Sequence, residues 1–198
     1  MKAKILWLLL LSALWINGCK EPYHMEVDAN GKIVAKYQYQ DSIQRKHGEY
    51  IKYYENGQVF ERARYQNGKL DGTRYLFFDN GDISTIEIYK DGMIDSIYKE
   101  FFPGVKIKRM GSYINGKMKG KWQVYYPIGT TKEIVFFEDN LENGPFVEYY
   151  ENGFMKAKGQ YKNGDNEDGD LYLYRPDGSF ERKMNCQEGI CRTVLLNE

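Results

Sequence analysis

Residues 48–57 read GEYIKYYENG, and residues 144–153 repeat them as GPFVEYYENG, 96 residues later. Because 96 is four times 24, this recurrence suggests a tandem repeat with a period of 24 residues. Glycine follows the same period at positions 48, 72, 120 and 144, and Ser96 stands at the intervening position. The sequence therefore predicts an array of equivalent short units.

Two turn-forming dipeptides mark fixed positions in each unit. The first is Asn-Gly or a variant of it, at residues 56–57, 80–81, 104–105, 128–129, 152–153 and 177–178. The second is also Asn-Gly or a variant, and lies eleven residues after the first, at residues 67–68, 91–92, 115–116, 139–140, 163–164 and 188–189. Asn-Gly and Asp-Gly suit two-residue type I′ turns, in which both central residues have positive φ. We therefore expect type I′ turns at both positions.

Three aromatic columns share this frame. The first column is Tyr53, Phe77, Phe101, Tyr125, Tyr149 and Tyr174. The second is Tyr54, Phe78, Phe102, Tyr126 and Tyr150, followed by Arg175. The third is Tyr65, Tyr89, Tyr113, Phe137 and Tyr161, followed by Cys186. The runs between the turns are rich in Tyr, Phe, Ile and Val, which is typical of half-buried strands. The expected fold is all-β: an elongated antiparallel meander of about six tandem 24-residue β-hairpins, forming a single twisted sheet.

The register of the first full hairpin follows from its turn. With Asn56-Gly57 as the two central residues, Tyr54 faces Val59, Tyr50 faces Ala63 and Gly48 faces Tyr65, where a glycine leaves room for the ring. We expect the face that these residues share with Leu70 to be the drier one.

The opposite face carries Ile51 and Tyr53 among Arg62 and Arg64. Its aromatic row is the candidate contact surface: Tyr53, Phe77, Phe101, Tyr125, Tyr149 and Tyr174. Packing within the sheet is the alternative role for these rings.

The N-terminus has the features of a secretory signal. Two lysines precede an apolar run from Ile5 to Ile16, within the sequence MKAKILWLLLLSALWINGC. As a helix this run would reach about 18 Å, short of the ~30 Å hydrocarbon core, so a spanning anchor is not expected. Residues 16–19 resemble a bacterial lipobox, which implies cleavage after residue 18 and diacylglycerol on Cys19. An ordinary secretory signal with an incidental cysteine stays open as the alternative.

The other two cysteines flank the last second-turn dipeptide. The repeat frame places Cys186 and Cys191 opposite each other at a non-hydrogen-bonded pair, where cross-strand side chains come closest. An exported chain lies in an oxidising compartment, so we predict a disulfide between them. Two buried thiols or a redox pair are the alternatives.

The sequence offers no set of residues for catalysis. The two histidines, His24 and His47, lie near the N-terminus, and the motifs of serine hydrolases, zinc proteases and P-loop enzymes are missing. The acidic turn at residues 165–170 lacks the EF-hand pattern, so a solvated turn is favoured over a calcium site. Lys+Arg and Asp+Glu both total 28, and no basic stripe appears in the sequence. We expect no enzyme activity, cofactor, metal or nucleic-acid partner.

The pattern YYENGQ…YQNGKLDG resembles MORN repeats (membrane occupation and recognition nexus) in their bacterial variant, over about residues 48–189. This resemblance implies an elongated sheet of hairpins. The same variant forms the repeats of YwqK-like antitoxins, which implies an antitoxin or immunity role as one alternative. MORN proteins are also associated with lipid head groups, although Trp122 is the single tryptophan in this array.

The expected protein is a lipid-anchored repeat protein of the bacterial cell envelope, at the outer membrane or cell surface, with the periplasmic face also possible. Its segments are a signal peptide (1–18), a tether (19–25), an N-terminal partial repeat or cap (26–47), the repeat array (48–189) and a C-terminal capping strand (190–198). The leading hypothesis is a non-catalytic scaffold that binds a protein partner. Neutralisation of a toxin, and binding of glycans or lipid head groups through the aromatic row, are the alternatives.

Overall fold

The fold consists of strands joined by turns. The computed structural model describes residues 23–40 and 45–196, so the predicted signal peptide and Cys19 lie outside the described residues. In the described part, no helix is long and apolar enough to cross a membrane. The strands in these residues are β1 His24–Val27, β2 Ile33–Tyr39, β3 Lys46–Tyr53, β4 Val59–Gln66, β5 Lys69–Leu70, β6 Gly72–Phe77, β7 Ile83–Lys90, β8 Met93–Phe101, β9 Ile107–Ile114, β10 Lys117–Tyr125, β11 Thr131–Glu138, β12 Leu141–Glu142, β13 Gly144–Tyr149, β14 Met155–Tyr161, β15 Gly169–Tyr174, β16 Phe180–Gln187 and β17 Ile190–Leu196.

All of these strands belong to one open antiparallel sheet. Successive strands pair as neighbours, beginning with β1–β2 and ending with β16–β17. The short strands β5 and β12 continue into β6 and β13, and both parts pair with the same preceding strand. The predicted all-β hairpin meander is therefore confirmed. β1 begins at His24, within the last residues of the segment interpreted as the tether.

The second turns have the predicted conformation. Asn67 and Gly68 have φ values of 51° and 81°, so both central residues are left-handed, as a type I′ turn requires. The same pair of positive φ values recurs at residues 91–92, 115–116, 139–140, 163–164 and 188–189. Five of these turns are two-residue loops that fix the register of the strands they join. The loop at residues 163–164 is longer, because the amide of Lys162 donates to the carbonyl of Asn166 (3.0 Å).

The first turns differ from the prediction, because their loops contain three residues. The amide of Tyr54 donates to the carbonyl of Gln58 (2.8 Å), and the amide of Gly57 donates to the carbonyl of Tyr54 (2.9 Å). Within the loop, Gly57 has positive φ (85°) and Asn56 does not. The side-chain oxygen of Asn56 accepts from the amide of Gln58 (2.9 Å), an Asx turn that keeps Asn56 out of the left-handed region.

The longer loop changes part of the predicted register. The pairs Tyr50–Ala63 and Gly48–Tyr65 are confirmed. The pair Tyr54–Val59 is wrong, because a bulge after Lys52 pairs Val59 with Tyr53 and leaves Tyr54 in the turn.

The reason expected for Gly48 also needs correction. A Cβ atom at Gly48 would lie 2.3 Å from Oε1 of Gln38, and Gly48 has a φ of 84°. The left-handed backbone is therefore what favours glycine here, and not the ring of Tyr65, because the nearest atom is the movable end of the Gln38 side chain.

Most of the core lies on one side of the sheet, which we call the core face. It contains Tyr50, Ala63 and Tyr65 in the first full hairpin. A larger cluster on the same face consists of Trp122, Val135, Phe146, Ala157, Leu171 and Cys186. Two other buried hydrophobic residues, Ile51 and Phe101, lie on the opposite face. The expectation of one drier face is confirmed.

A charged triad interrupts the core face between these two clusters. Nε of Arg74 donates to Oε1 of Glu61 (2.7 Å), and a terminal nitrogen of Arg74 donates to Oε2 of Glu87 (2.9 Å). Burial lowers the pKa of Arg74, but its hydrogen bonds to Glu61 and Glu87 more than offset this effect, so the pKa of Arg74 is raised. Arg74 occupies the position that Tyr50 and Trp122 fill in other hairpins, and no signal in the repeat pattern had singled it out.

Candidate binding surface

The six residues of the predicted aromatic row occupy equivalent places in the fold. Each is the last residue of the first strand of its hairpin, at the ends of β3, β6, β8, β10, β13 and β15. Each pairs with the first residue of the next strand, as Tyr53 does with Val59 and Tyr125 with Thr131. Since two strand spacings separate successive hairpins, the rings recur about every 10 Å along the sheet.

A β-bulge aims each of these rings. In every hairpin the register shifts immediately before the row residue, for example between Lys52 and Tyr53 and between Glu148 and Tyr149. Bulges commonly re-aim a side chain next to a functional site. The repetition of the bulge in all six hairpins keeps the rings aligned in one row.

The rings of the row are accessible to different degrees. Phe101 is only 9% exposed, so it offers little surface to a partner. The other five members are partly exposed: Tyr53, Phe77, Tyr125, Tyr149 and Tyr174. The row therefore contains one buried ring and five rings that are partly open to solvent.

Tyrosine hydroxyls of the second aromatic column donate hydrogen bonds to backbone carbonyls of row residues. The hydroxyl of Tyr54 donates to the carbonyl of Phe77 (2.7 Å), and that of Tyr126 donates to the carbonyl of Tyr149 (2.9 Å). Tyr150 and Tyr174 form a third such contact (2.9 Å). Each bond reaches from one hairpin to the next. The second aromatic column thus positions the first, a role that sequence reasoning missed.

A line of directly paired residues runs across the sheet beside the row, and we call it the midline. It consists of Lys36, Ile51, Arg62, Tyr75, Ile86, Lys99, Met110, Gln123, Ile134, Val147, Lys158, Tyr172 and Lys183. It lies on the same face as the row, because the rings of Tyr75 and Phe77 are 6.4 Å apart and the Tyr125 hydroxyl lies 3.7 Å from Sδ of Met110.

The midline contains five cations and no carboxylate. The sequence had shown no basic stripe, because successive members of this set are up to 59 residues apart along the chain. Only strand pairing brings Lys36, Arg62, Lys99, Lys158 and Lys183 into one line. This face therefore presents positive charge interleaved with apolar and aromatic side chains.

Several carboxylates lie on the core face. Glu133 and Glu148 face each other directly across β11 and β13. Burial, followed by the charges of Glu148 and Glu142, raises the pKa of Glu133. Glu148 forms an ion pair with Lys156 (2.7 Å). The core face therefore carries charges of both signs, and its carboxylates are partly neutralised by cations such as Arg74 and Lys156.

The two C-terminal cysteines are joined in the structure. Cys186 and Cys191 form a disulfide between paired positions of β16 and β17, with Cα atoms 4.0 Å apart. Cys186 is 3% exposed and belongs to the larger core cluster. The bridge thus closes the last hairpin at the end of the array, far in sequence from the row residue Tyr53.

No group of three or more His, Cys, Asp or Glu side chains is placed to hold a metal ion in residues 23–40 and 45–196. In the acidic turn, Lys162 forms an ion pair with Asp168 (3.5 Å). The acidic turn is hydrogen-bonded to the turn between β16 and β17, because the amide of Gly189 donates to the carbonyl of Glu167 (3.0 Å). These contacts give the turn a structural role.

Residues 46–67 and residues 142–163 match the model of a family described as MORN repeat variant. The two matches lie 96 residues apart and coincide with the hairpins β3–β4 and β13–β14. The chain therefore carries MORN-type repeats at these two places. No curated protein matches the chain significantly.

Proposed function

We propose that this chain is a lipid-anchored, non-catalytic scaffold of the bacterial cell envelope that binds a protein partner through its aromatic row. The observation that carries the proposal is the alignment of partly exposed rings at intervals of one hairpin on a face with an acid-free midline. Aromatic residues are enriched at protein interfaces, where they provide large contact areas. The MORN-type repeats support a binding role, because elongated repeat arrays present extended surfaces to partners.

Anchoring through Cys19 is the second part of the proposal. The sequence before Cys19 supports it, and each buried acyl methylene contributes about 0.8 kcal/mol to membrane binding. Metabolic labelling with an alkyne fatty acid tests this part. We expect label on the wild-type chain and none on Cys19→Ser; equal labelling of the two would rule out Cys19 as the lipidation site.

A crosslinking pull-down from native membranes tests the contact surface. The test variant combines Tyr53→Ala with Tyr125→Ala, two partly exposed rings six strand spacings apart. The matched control combines Ile128→Ala with Phe154→Ala, which are 59% and 50% exposed and lie in first turns outside the row. We expect the control to retain the partner and the row variant to lose most of it.

Circular dichroism must show that both double variants remain folded. If the row variant recovers the partner as well as wild type does, the row is not the contact surface. The identity of the captured protein then distinguishes a general scaffold from an immunity protein. A captured toxin whose gene neighbours the gene of this chain would support the immunity role. Binding to a glycan array that depends on the same rings would instead support the glycan alternative.

A further inference from the structure

Some hairpins are joined to the next by very few strand pairs. Between β4 and β6, the paired residues are Glu61–Leu76 and Arg62–Tyr75. Between β14 and β15 they are Ala157–Leu173 and Lys158–Tyr172. Beyond these two pairs the regular ladder is interrupted before the second turn, although single backbone hydrogen bonds continue across each joint: the amide of Asp71 donates to the carbonyl of Arg64, and that of Asp168 to the carbonyl of Gln160 (both 2.9 Å). The ladder is therefore irregular at each of these joints.

A groove lies over each of these two joints on the face of the aromatic row. The first groove has a volume of about 370 Å³ and is lined by Arg62, Arg64, Thr73, Tyr75, Glu49 and Gln38. The second has a volume of about 340 Å³, and its lining includes Lys158, Gln160, Tyr172, Pro145, Val147 and Asp170. The two grooves lie at equivalent joints, since Lys158 follows Arg62 by 96 residues. They adjoin the two hairpins that match the MORN repeat variant.

Both grooves combine a cation with a tyrosine ring. Arg62 is directly paired with Tyr75, and Lys158 is directly paired with Tyr172. Nζ of Lys158 lies 5.0 Å from the centre of the Tyr172 ring. The joint between β11 and β13 has the same two-pair geometry, but it places Ile134 opposite Val147. The cation and ring are therefore features of two particular joints and not of the repeat in general.

In the first groove, one cation has no neutralising partner. Arg62 forms a 3.7 Å ion pair with Glu49. Arg64 is exposed and forms no ion pair with any described residue. One positive charge is therefore left over at this site.

The second groove has the same balance. Asp170 is paired with Lys183 (2.6 Å), and this hydrogen bond lowers the pKa of Asp170. Asp168 is paired with Lys162 (3.5 Å). Lys158 has its ring contact with Tyr172 but no ion pair in the part of the chain that the structure describes. The groove thus keeps one uncompensated cation beside an aromatic ring.

We propose that these two grooves bind acidic segments of the protein partner, with a carboxylate on Arg64 or Lys158 and an adjacent apolar side chain on Tyr75 or Tyr172. This inference rests on the proposed function and names the chemistry of the partner. Complementary charge favours an acidic occupant, and the rings favour one with apolar side chains beside its carboxylates. The cations stand singly in distinct grooves, which suits discrete side chains of a peptide better than a continuous charged surface.

The separation of the grooves sets a minimum length for the occupant. β4 and β14 are eight strand spacings apart along the meander, or about 38 Å. An extended chain spans at most about 3.3–3.6 Å per residue, so one segment needs at least about eleven residues to reach both grooves. A segment of this length would bind both grooves at once. Loss of either groove would then reduce the overall affinity by more than the affinity of that groove for an isolated short segment.

A fluorescein-labelled Glu–Tyr copolymer is the probe, and its binding to the full-length chain is measured by fluorescence anisotropy. We expect Arg64→Gln combined with Lys158→Gln to weaken binding about tenfold or more, and each single variant to produce part of that loss. The matched control is Lys90→Gln combined with Lys106→Gln, which removes two exposed positive charges outside the grooves. This control should bind as wild type does.

Equal affinity of the groove variant and its control would overturn the proposal, as would binding to phosphatidylglycerol vesicles without binding to the copolymer. The outcome is independent of the pull-down with the row variant. If the native partner is lost from the row variant but retained by the groove variant, the scaffold function stands and the grooves are not its acidic-segment sites. If the groove variant loses copolymer binding but the row variant still recovers the native partner, only the proposal that the row is the contact surface is refuted.

Discussion

The indole of Trp122 lies directly over the backbone of Gly111. A Cβ atom at Gly111 would come within 2.1 Å of Cδ2 of Trp122. Trp122 is 1% exposed, and the rings of Tyr98 and Tyr113 pack around it at centroid distances of 5.6 and 5.3 Å. The largest buried side chain of the sheet is therefore accommodated by the missing side chain of a glycine on the neighbouring strand.

Replacement of Gly111 by alanine should destabilise the fold, because the added methyl group must displace the Trp122 ring. We expect a loss of about 1–3 kcal/mol in the free energy of unfolding, measured by urea denaturation. Ser112→Ala, at the adjacent position on the other face, is the control and should change stability little. Gly111→Ala combined with Trp122→Leu should be less destabilised than the sum of its single changes; strict additivity would contradict the contact.

The triad of Glu61, Arg74 and Glu87 predicts a different pattern. Arg74→Met leaves two carboxylates on the core face without their cation. It should lower the free energy of unfolding by about 2–3 kcal/mol. This is less than the loss expected for a fully buried ion pair, because the Arg74 side chain is 24% exposed. The triple change Arg74→Met, Glu61→Gln and Glu87→Gln should recover much of this loss. Chemical denaturation measures both, and a triple variant less stable than Arg74→Met would refute the explanation.

Ser96 stands where the other hairpins have glycine, and its φ is 84°. The left-handed conformation costs a non-glycine residue about 1–2 kcal/mol, part of which is offset by the lower entropy of its unfolded state. Ser96→Gly should therefore raise the free energy of unfolding by up to about 1 kcal/mol. Ser112→Gly, in a strand without positive φ, should lower it. If Ser96→Gly and Ser112→Gly destabilise the fold equally, the left-handed backbone at Ser96 does not strain the protein.

Glu133 should make the stability of the array depend on pH. Its pKa is raised in the folded protein by burial and by Glu148, so protonated Glu133 is favoured in the fold. Stability contributed by this group is present below the ordinary glutamate pKa and is lost as pH rises through the raised value. Glu133→Gln should therefore raise the melting temperature at pH 7.5 and leave it nearly unchanged at pH 4.

The exposed turn residue Glu151 provides the control for this prediction. Glu151→Gln should shift the melting temperature little at either pH, because Glu151 is exposed and forms no ion pair among the described residues. A stabilisation of Glu133→Gln that is as large at pH 4 as at pH 7.5 would show that the raised pKa is not its cause.

The bridge between Cys186 and Cys191 closes a loop of only six residues, counting both cysteines. The loop-entropy model gives a contribution of about 2 kcal/mol for so short a loop. We expect reductant, or Cys186→Ser with Cys191→Ser, to lower the free energy of unfolding by about this amount. Thiol counting on the native protein should find both cysteines oxidised; two free thiols would end this prediction.

Part of the candidate site could be located from the sequence. The aromatic row was found from spacing alone, because rings 24 residues apart must occupy equivalent places once the repeat is accepted. Spacing could not reveal that Phe101 is buried, or that the hydroxyl of Tyr54 donates to the carbonyl of Phe77. Burial and hydrogen bonding depend on the neighbouring hairpins. The predicted two-residue first turn was wrong because Asn56-Gly57 also suits a three-residue loop, where only the glycine is left-handed.

The sequence by itself determined the meander, the period of its hairpins and the second turns, because these follow from local turn chemistry and from strand alternation. The tertiary structure decided which cations line up along the midline and where the two grooves lie. Arg64 and Lys158 are far apart in the chain, and each gains its neighbours from strands on either side. Pairing between strands brings distant charges together, and no local pattern of residues records that arrangement.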